Sequence, residues 1–361
     1  DKRTGRTRAG LNRFGAGGDK GDEYNYCVPE TETVSDAPDS PAKVGVTRGA
    51  NTSTLTIEMT YRLPAGLSSD RMARSDALCD ERIVSEGRLT AGVPRIDIRT
   101  TVFNAAEDHR LRAHFPSGVA AAVSKADQHF GVVERPIALP EWDPETWMEQ
   151  PLGTHPQKSF VSVDDDANGL TIANRGLPEY EVLDGPDGAV IALTLLRCVG
   201  WLSRADISSR KGGAGPQLRT PGAQLHGRHV LEYSIIPHAG DWEAGGAHVQ
   251  AVQHLRPMRA RWNRHGLGHI AAKGQLLEVE SPAFQVSAIK RAEDCDGAIV
   301  RLYNQSGDEA STSIDLVPYG GGEVQMVNLN EEHIADVPRI DGKVLVTAGP
   351  NAIVTLRFRP A

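Results

Sequence analysis

Arg204, Asp206 and Arg210 fall close together in a stretch rich in glycine and proline that also carries Lys211 and Arg219. Guanidinium groups present fixed donors and carboxylates present acceptors, a pairing suited to sugar hydroxyls. The same residue types make ordinary surface ion pairs, worth under about 1 kcal/mol each. Residue types alone leave both readings open. Tyr24, in the segment GDEYNY, is in the same position: a sugar-facing aromatic, or a strand residue packed on a core.

Other candidates carry less. Asp164, Asp166, Asn168 and Gly169 match the opening of a calcium loop, D-x-D-x-N-G. Position twelve of such a loop must be a bidentate Glu, and here it is Arg175, so a solvated hairpin turn is expected instead. The chain has twelve histidines, among them His226, His229, His238, His248, His265 and His269, but no H-E-x-x-H. His226 and His229, three apart without further ligands, do not specify a metal. No nucleophile elbow, P-loop or dinucleotide fingerprint occurs. Gly212, Gly213 and Gly215 are followed by Pro216 and read as loop hinges. The expectation is no catalytic residue, no metal ligand and no cofactor in this chain.

The elements that would position these residues are strands. Val190, Ile191, Leu193, Leu195 and Leu196 form a nearly unbroken apolar run, as in a strand buried on both faces. Val230, Leu231, Tyr233, Ile235 and Ile236 form a second. The charged loop hangs between them, and a loop that long is usually functional or disordered. Leu55, Ile57, Met59, Tyr61 and Leu63 alternate with polar residues, predicting a half-buried antiparallel strand, and 95–104 repeats the pattern. Tyr24 and Tyr26 share one face if their segment is a strand. Residues 160–174 read as a hairpin turning at Asn168-Gly169, where positive φ is tolerated. The connection before it is heavy in proline and carries Trp142 and Trp147, which are expected to pin it to the core. The spacing of Val249, Val252 and Leu255 before Pro257 predicts a helix. After residue 281 short strands and tight turns suit a small β-sandwich. The predicted fold is all-β: a large sandwich over 1–281 and a small C-terminal one over 282–361.

Bulk properties narrow the function. The net charge of -8 argues against a nucleic-acid partner. No run of about 18 apolar residues offers a membrane span, and the N-terminal stretch has no apolar signal region. Cys27, Cys79, Cys198 and Cys295 are far apart and form no C-x-x-C pair, so reduced thiols and a cytoplasmic location are expected.

Several segments carry a family resemblance: HPQKSFVSV, GLTIANRGLPEYEV, LTLLRCVGWLSRADISSR, AGPQLRTPGAQLHGRHVLEYSIIPH and SAIKRAEDCDGAIVRLYN. In this order they resemble the C-terminal half of bacterial α-mannosidases of glycoside hydrolase family 38. GDKGDEYNY resembles the point where that β-rich half begins. The resemblance implies a mutarotase-like supersandwich followed by smaller β domains. It also implies a parent that hydrolyses α-mannosides with retention, using a zinc ion and a nucleophilic Asp on an N-terminal barrel. Nothing here resembles that barrel. The chain is expected to be a fragment, inactive alone, whose partners are its own N-terminal catalytic domain and a mannoside, with a homo-oligomer possible through the parent. By the same resemblance Tyr24 corresponds to a sugar-contacting Tyr, with Asp22 beside it. A family arginine near the site corresponds best to Arg210 and next to Arg204, which with Asp206 completes the candidate substrate-binding set. The alternatives are a freestanding carbohydrate-binding module and a mutarotase-like aldose epimerase using a His such as His238.

Overall fold

The computed structural model describes residues 1–165, 167–262 and 273–360. Asp166, His265 and His269 lie outside the described residues. The chain forms two compact units, Asp1–Ala126 with Glu134–Arg256, and Asp127–Val133 with Pro257–Ala361. The expected division at 281/282 differs from this grouping, which assigns residues 257–281 to the second unit.

The first fourteen strands are β1 (Arg13–Gly18), β2 (Lys43–Arg48), β3 (Thr52–Pro64), β4 (Leu78–Thr90), β5 (Ile96–Asn104), β6 (His109–Pro116), β7 (Val123–Gln128), β8 (Gly131–Pro136), β9 (Thr154–Pro156), β10 (Phe160–Asp164), β11 (Asn168–Asn174), β12 (Glu179–Gly185), β13 (Gly188–Cys198) and β14 (Gly227–Ala239). They make a nine-stranded sheet, β2-β3-β4-β5-β14-β11-β10-β7-β8, and a five-stranded sheet, β1-β6-β13-β12-β9. Alternation explains the pairing of the two sheets. Leu111, Ala113 and Phe115 point inward from β6 and are buried, while Arg110, Arg112 and His114 point away. Tyr61, Ile83, Val102, Ile172 and Tyr233 line the opposing sheet. The rings of Phe115 and Tyr233 meet edge-on at 5.8 Å, and those of Phe14 and Tyr61 at 6.4 Å. The architecture is therefore an all-β sandwich, as the alternation predicts.

The second unit has its own core, in which Phe284, Val300, Ile314, Val346, Leu356 and Phe358 pack together. A four-stranded sheet contains Ala310–Leu316 and Lys343–Ala348. A five-stranded sheet contains Ala298–Asn304 and Ile353–Phe358.

Several expectations are corrected. The apolar runs on either side of the charged loop are β13 and β14, which belong to different sheets, so the loop crosses from one to the other. The hairpin at 160–174 forms, but Asn168 and Gly169 are paired strand residues. Its turn is closed earlier by Asp165, whose Oδ1 accepts the N–H groups of Ala167 and Asn168. Gly169 is needed for another reason: a Cβ there would sit 2.0 Å from His238 Cε1. The helix α1 (Ala247–Leu255) forms and contacts β11 and β14. Its buried face is Ala247, His248, Ala251 and His254, not the valines. His254 Nδ1 lies 3.0 Å from Asp97 Oδ1, so a polar anchor overrides the apolar spacing. Trp142 and Trp147 are exposed rather than buried in the core.

One buried group has no matching partner. Glu81 on β4 faces the core with no exposure. Neither of its carboxylate oxygens has a hydrogen-bond partner, nor do Arg74 Nε and His109 Nδ1. Burial pushes the Glu81 carboxyl up to about 7 from 4.5, although the Arg74 charge opposes this. The folded state thus holds a proton that the unfolded chain releases, and stability falls as pH rises from about 4.5 to about 7. The full shift is worth on the order of 3 kcal/mol. Urea denaturation near pH 5 and near pH 8 checks this. Glu81→Gln should be the more stable protein at the higher pH and lose the advantage at the lower. Parallel pH profiles for the two proteins would reject the assignment.

Candidate functional site: the Asp22 turn and the charged loop

After β1 the chain leaves the sheet and folds into a tight polar segment, Asp19–Cys27, with no strand in it. The expected shared face for Tyr24 and Tyr26 therefore does not form. Asp19 is fully buried, and its Oδ2 accepts a hydrogen bond of 2.8 Å from Arg197 Nε at the end of β13. Asp19 Oδ1 accepts the N–H groups of Gly21 and Cys27. Burial pushes the Asp19 carboxyl up, against the pull of Arg197 and these N–H groups. At Gly21 the backbone folds so closely that a Cβ would lie 2.0 Å from the Asn25 carbonyl oxygen.

Asp22 is the centre of the next turn and is also fully buried. Its Oδ1 accepts the N–H groups of Tyr24 at 3.0 Å and Asn25 at 2.9 Å. Its Oδ2 accepts the N–H of Arg204 at 2.7 Å and Arg210 Nη2 at 2.6 Å. Burial alone would raise this carboxyl. The Arg210 guanidinium and the N–H groups of Asn25 and Arg204 outweigh it and hold the group below the usual carboxylate range.

Arg210 is engaged throughout its guanidinium. Nε donates to the Gly212 carbonyl at 3.1 Å, and Nη2 donates to the Arg204 carbonyl at 2.9 Å as well as to Asp22. Nη1 donates to Asn25 Oδ1 and approaches Asp22 Oδ1 at 3.5 Å. These contacts leave Arg210 no N–H for a ligand. Backbone contacts add a second support: Glu149 bridges to Arg210, and the Gln150 N–H donates to the Ser209 carbonyl.

The five sequence candidates thus form one connected network, but they divide in character. Asp22 and Arg210 are buried and saturated. Tyr24 is 55% exposed, and its hydroxyl lies beside Gly215, where a Cβ would come within 3.2 Å. The Ser203 hydroxyl accepts the N–H groups of Ala214 and Gly215 and folds that glycine stretch back. Arg204 pairs with Asp206 through both carboxylate oxygens, and its guanidinium carbon stands 4.9 Å from the centre of the Trp201 ring. Arg219 contacts the same ring at 4.1 Å. The Asp206 side chain is 63% exposed.

Sequence reasoning missed Asp19, Arg197, Asn25 and Tyr26. Arg197 had a usable signal: it is the lone charge in an apolar strand, and a buried charge requires a partner. Tyr26 lies against Arg110, ring to guanidinium at 3.6 Å, which no local pattern announces.

The other candidates are placed elsewhere. Asp164 pairs with Lys125 at 2.6 Å. His226 contacts Glu107, and His229 contacts the Leu225 carbonyl. His238, the base that an epimerase would need, is buried, with Nε2 3.0 Å from Thr171 Oγ1 and Nδ1 3.1 Å from the Gly240 carbonyl. Burial holds it below its ordinary pKa. Among the described residues no three His, Cys, Asp or Glu side chains are arranged to hold a metal ion. Among the same residues, no helix is long and apolar enough to cross a membrane.

Residues 1–204 match the glycosyl hydrolases family 38 C-terminal domain. The chain belongs to glycoside hydrolase family 38. Residues 283–356 match that family's C-terminal beta sandwich domain. Among curated relatives, a Halalkalibacterium halodurans protein carrying the name of a mannosylglycerate hydrolase is 28% identical over 291 residues, covering 80% of this chain and 30% of its own length. Human alpha-mannosidase 2C1 is 23% identical over 242 residues, covering 66% of this chain and 20% of its own. Among solved structures, an alpha-mannosidase from Enterococcus faecalis superposes with a TM-score of 0.84 at 28% identity, covering 99% of this chain and 40% of that one. A second family 38 protein from Enterococcus faecalis gives 0.83 at 27% identity, covering 99% and 41%. The chain thus spans less than a third of its curated relatives' length and about two fifths of the solved family 38 chains.

Removing Arg210 strands the Asp22 carboxylate without its counter-ion. Arg210→Ala should cost about 3 kcal/mol or more and open residues 199–220 to limited proteolysis. Because the Asp22 carboxyl is held low, its share of stability is present above the ordinary carboxylate range and lost as pH falls through its native value. Acid titration of wild type and variant, followed by thermal denaturation, reads both effects. Wild-type stability in Arg210→Ala would refute the clamp.

Proposed function

We infer that this chain is the C-terminal β-sandwich part of a zinc-dependent, retaining α-mannosidase acting on terminal α-mannosides. The observation that carries the reading is the pair of family 38 matches, to the C-terminal domain over 1–204 and to the C-terminal beta sandwich domain over 283–356, in that order along one chain. The barrel, its zinc ligands and its nucleophilic Asp belong to the remainder of the longer protein. Retention requires a nucleophile and an acid/base carboxylate about 5 Å apart. The exposed carboxylate of the Asp22 network, Asp206, is paired with Arg204.

In this reading the chain's own contribution is positional. Asp22 and Arg210 hold the turn, and the turn presents the Tyr24 hydroxyl to the sugar. Arg204 and Asp206 offer a donor and an acceptor for hydroxyls at the rim of the site. The name of the Halalkalibacterium relative suggests mannosylglycerate as a second substrate to test beside simple α-mannosides.

The full-length protein should hydrolyse an aryl α-mannoside, lose activity to a chelator and regain it with zinc. NMR should show the α-anomer forming first. This chain alone should not turn over, and robust hydrolysis by it would overturn the reading. In the full-length protein Tyr24→Phe should lower kcat/KM about tenfold, the loss of one hydrogen bond, without lowering Tm. An unchanged kcat/KM would remove Tyr24 from the sugar site.

A further inference from the structure

A second region of the first unit gathers positive charge in excess of negative. Where β4 turns into β5, a cleft of about 550 Å³ opens at the end of the sandwich. Lys2, Arg3, Arg6, Arg8 and Arg95 line it, against one acidic residue, Asp1. This excess stands in a chain whose net charge is -8.

The partners of these cations are mostly neutral. Arg3 Nη2 donates to the Pro237 carbonyl at 2.7 Å, and Arg6 Nη1 to the Gly118 carbonyl at 3.1 Å. Arg8 donates to the carbonyls of Ser117 and Gly169 at 2.8 and 3.1 Å. Carbonyl oxygens orient a guanidinium but leave its charge in place. Burial and the neighbouring Arg6 charge push the Arg8 guanidinium below its ordinary value, as expected for crowded cations. Two of the cations also meet carboxylates: Arg95 pairs with Asp97 at 2.8 Å, which also takes the His254 ring, and Arg3 Nε lies 3.5 Å from Asp1 Oδ1.

The rest of the cleft is apolar. Leu170 and Ile235 form a floor continuous with the sandwich core, and Leu11, Ile96 and Leu89 form the walls. Leu89 is 54% exposed. A concave apolar site with a few convergent polar groups and this volume suits a small molecule.

We propose that this cleft binds a single-chain amphiphilic anion, with its carboxylate against Arg3, Arg6 and Arg8 and its hydrocarbon chain along Leu11, Leu89 and Ile96. Other ligand classes fit less well. A sugar needs acceptors as well as donors, and the lining side chains supply them only through Asp1 and Thr7. A nucleotide base needs an aromatic face for stacking, and the lining has none. A peptide adding to a sheet needs an edge strand. Leu89, Ile96, Leu170 and Ile235 lie on β4, β5, β11 and β14, each flanked by strands on both sides.

Calorimetric titration of the protein with hexanoate, octanoate and decanoate tests the proposal. Saturable one-to-one binding is expected, tightening about fourfold per added methylene. Acetate and decyltrimethylammonium should not bind. Lys2 and Arg6 are exposed, so the double variant Lys2→Glu/Arg6→Glu should fold and weaken decanoate at least about tenfold, as two reversed charges require. Leu89→Asp should weaken it as well. The chain-length and head-group series on the wild type stands even if a variant misfolds. Absence of saturable binding, equal binding of decanoate and decyltrimethylammonium, or indifference to charge reversal would each overturn the proposal. So would cosedimentation with anionic lipid vesicles in the absence of binding to the free carboxylates, which would make the cleft a membrane contact.

Discussion

Two carboxylates removed from water dictate the form of the candidate site. Asp19 and Asp22 have no solvent to stabilise their charge, so every lone pair must find a donor within the protein. Arg197 answers the first and Arg210 the second, and five backbone N–H groups complete the set. The strand end, the turn and the charged loop are thereby held to one another by directional bonds. Direction matters here more than net energy, because burying an ion pair returns little over burying apolar groups of the same shape. What the pairs secure is position: an exposed tyrosine on a turn that cannot drift, beside a loop that would otherwise be free.

That arrangement gives the family 38 assignment a physical meaning. The sandwich is rigid, with both sheets contributing large side chains to one core. Chemistry for glycoside cleavage needs two carboxylates at a set spacing. Within the Asp22 network the acidic groups are a saturated Asp22, an Asp19 held by Arg197, and an Asp206 paired with Arg204. These are the electrostatics of a support that fixes geometry.

The sheets were legible in the sequence because a period of two survives any tertiary context. Ile98 and Val102, like Tyr61 and Leu63, sit in the core as their alternation requires. The helix was legible in extent, since Pro257 and the apolar spacing bracket it. Its buried face was not, because His254 is drawn inward by Asp97, a residue 157 positions away. The same limit applies to the site. The charges at 204, 206 and 210 stand out in the sequence, yet the distinction between a saturated Arg210 and an exposed Tyr24 depends on partners from distant segments. Trp142 and Trp147 mislead for the converse reason: large aromatics usually bury, but backbone pairing through Glu149 and Gln150 holds their segment instead. Asn168-Gly169 has the composition of a turn, yet both residues pair within the sheet, and the glycine is required by the His238 ring beside it.

The Asp22–Arg210 contact joins residues 188 positions apart. Closing so long a loop is entropically costly until the intervening strands have already brought its ends together. Native-like order in the tyrosine-bearing turn is therefore a late event in assembly, contingent on β13 and β14 having each found its own sheet. A polypeptide interrupted anywhere between the two residues would lose this turn first, even where much of the sandwich could still collapse. The turn thus reports on the integrity of the whole first unit.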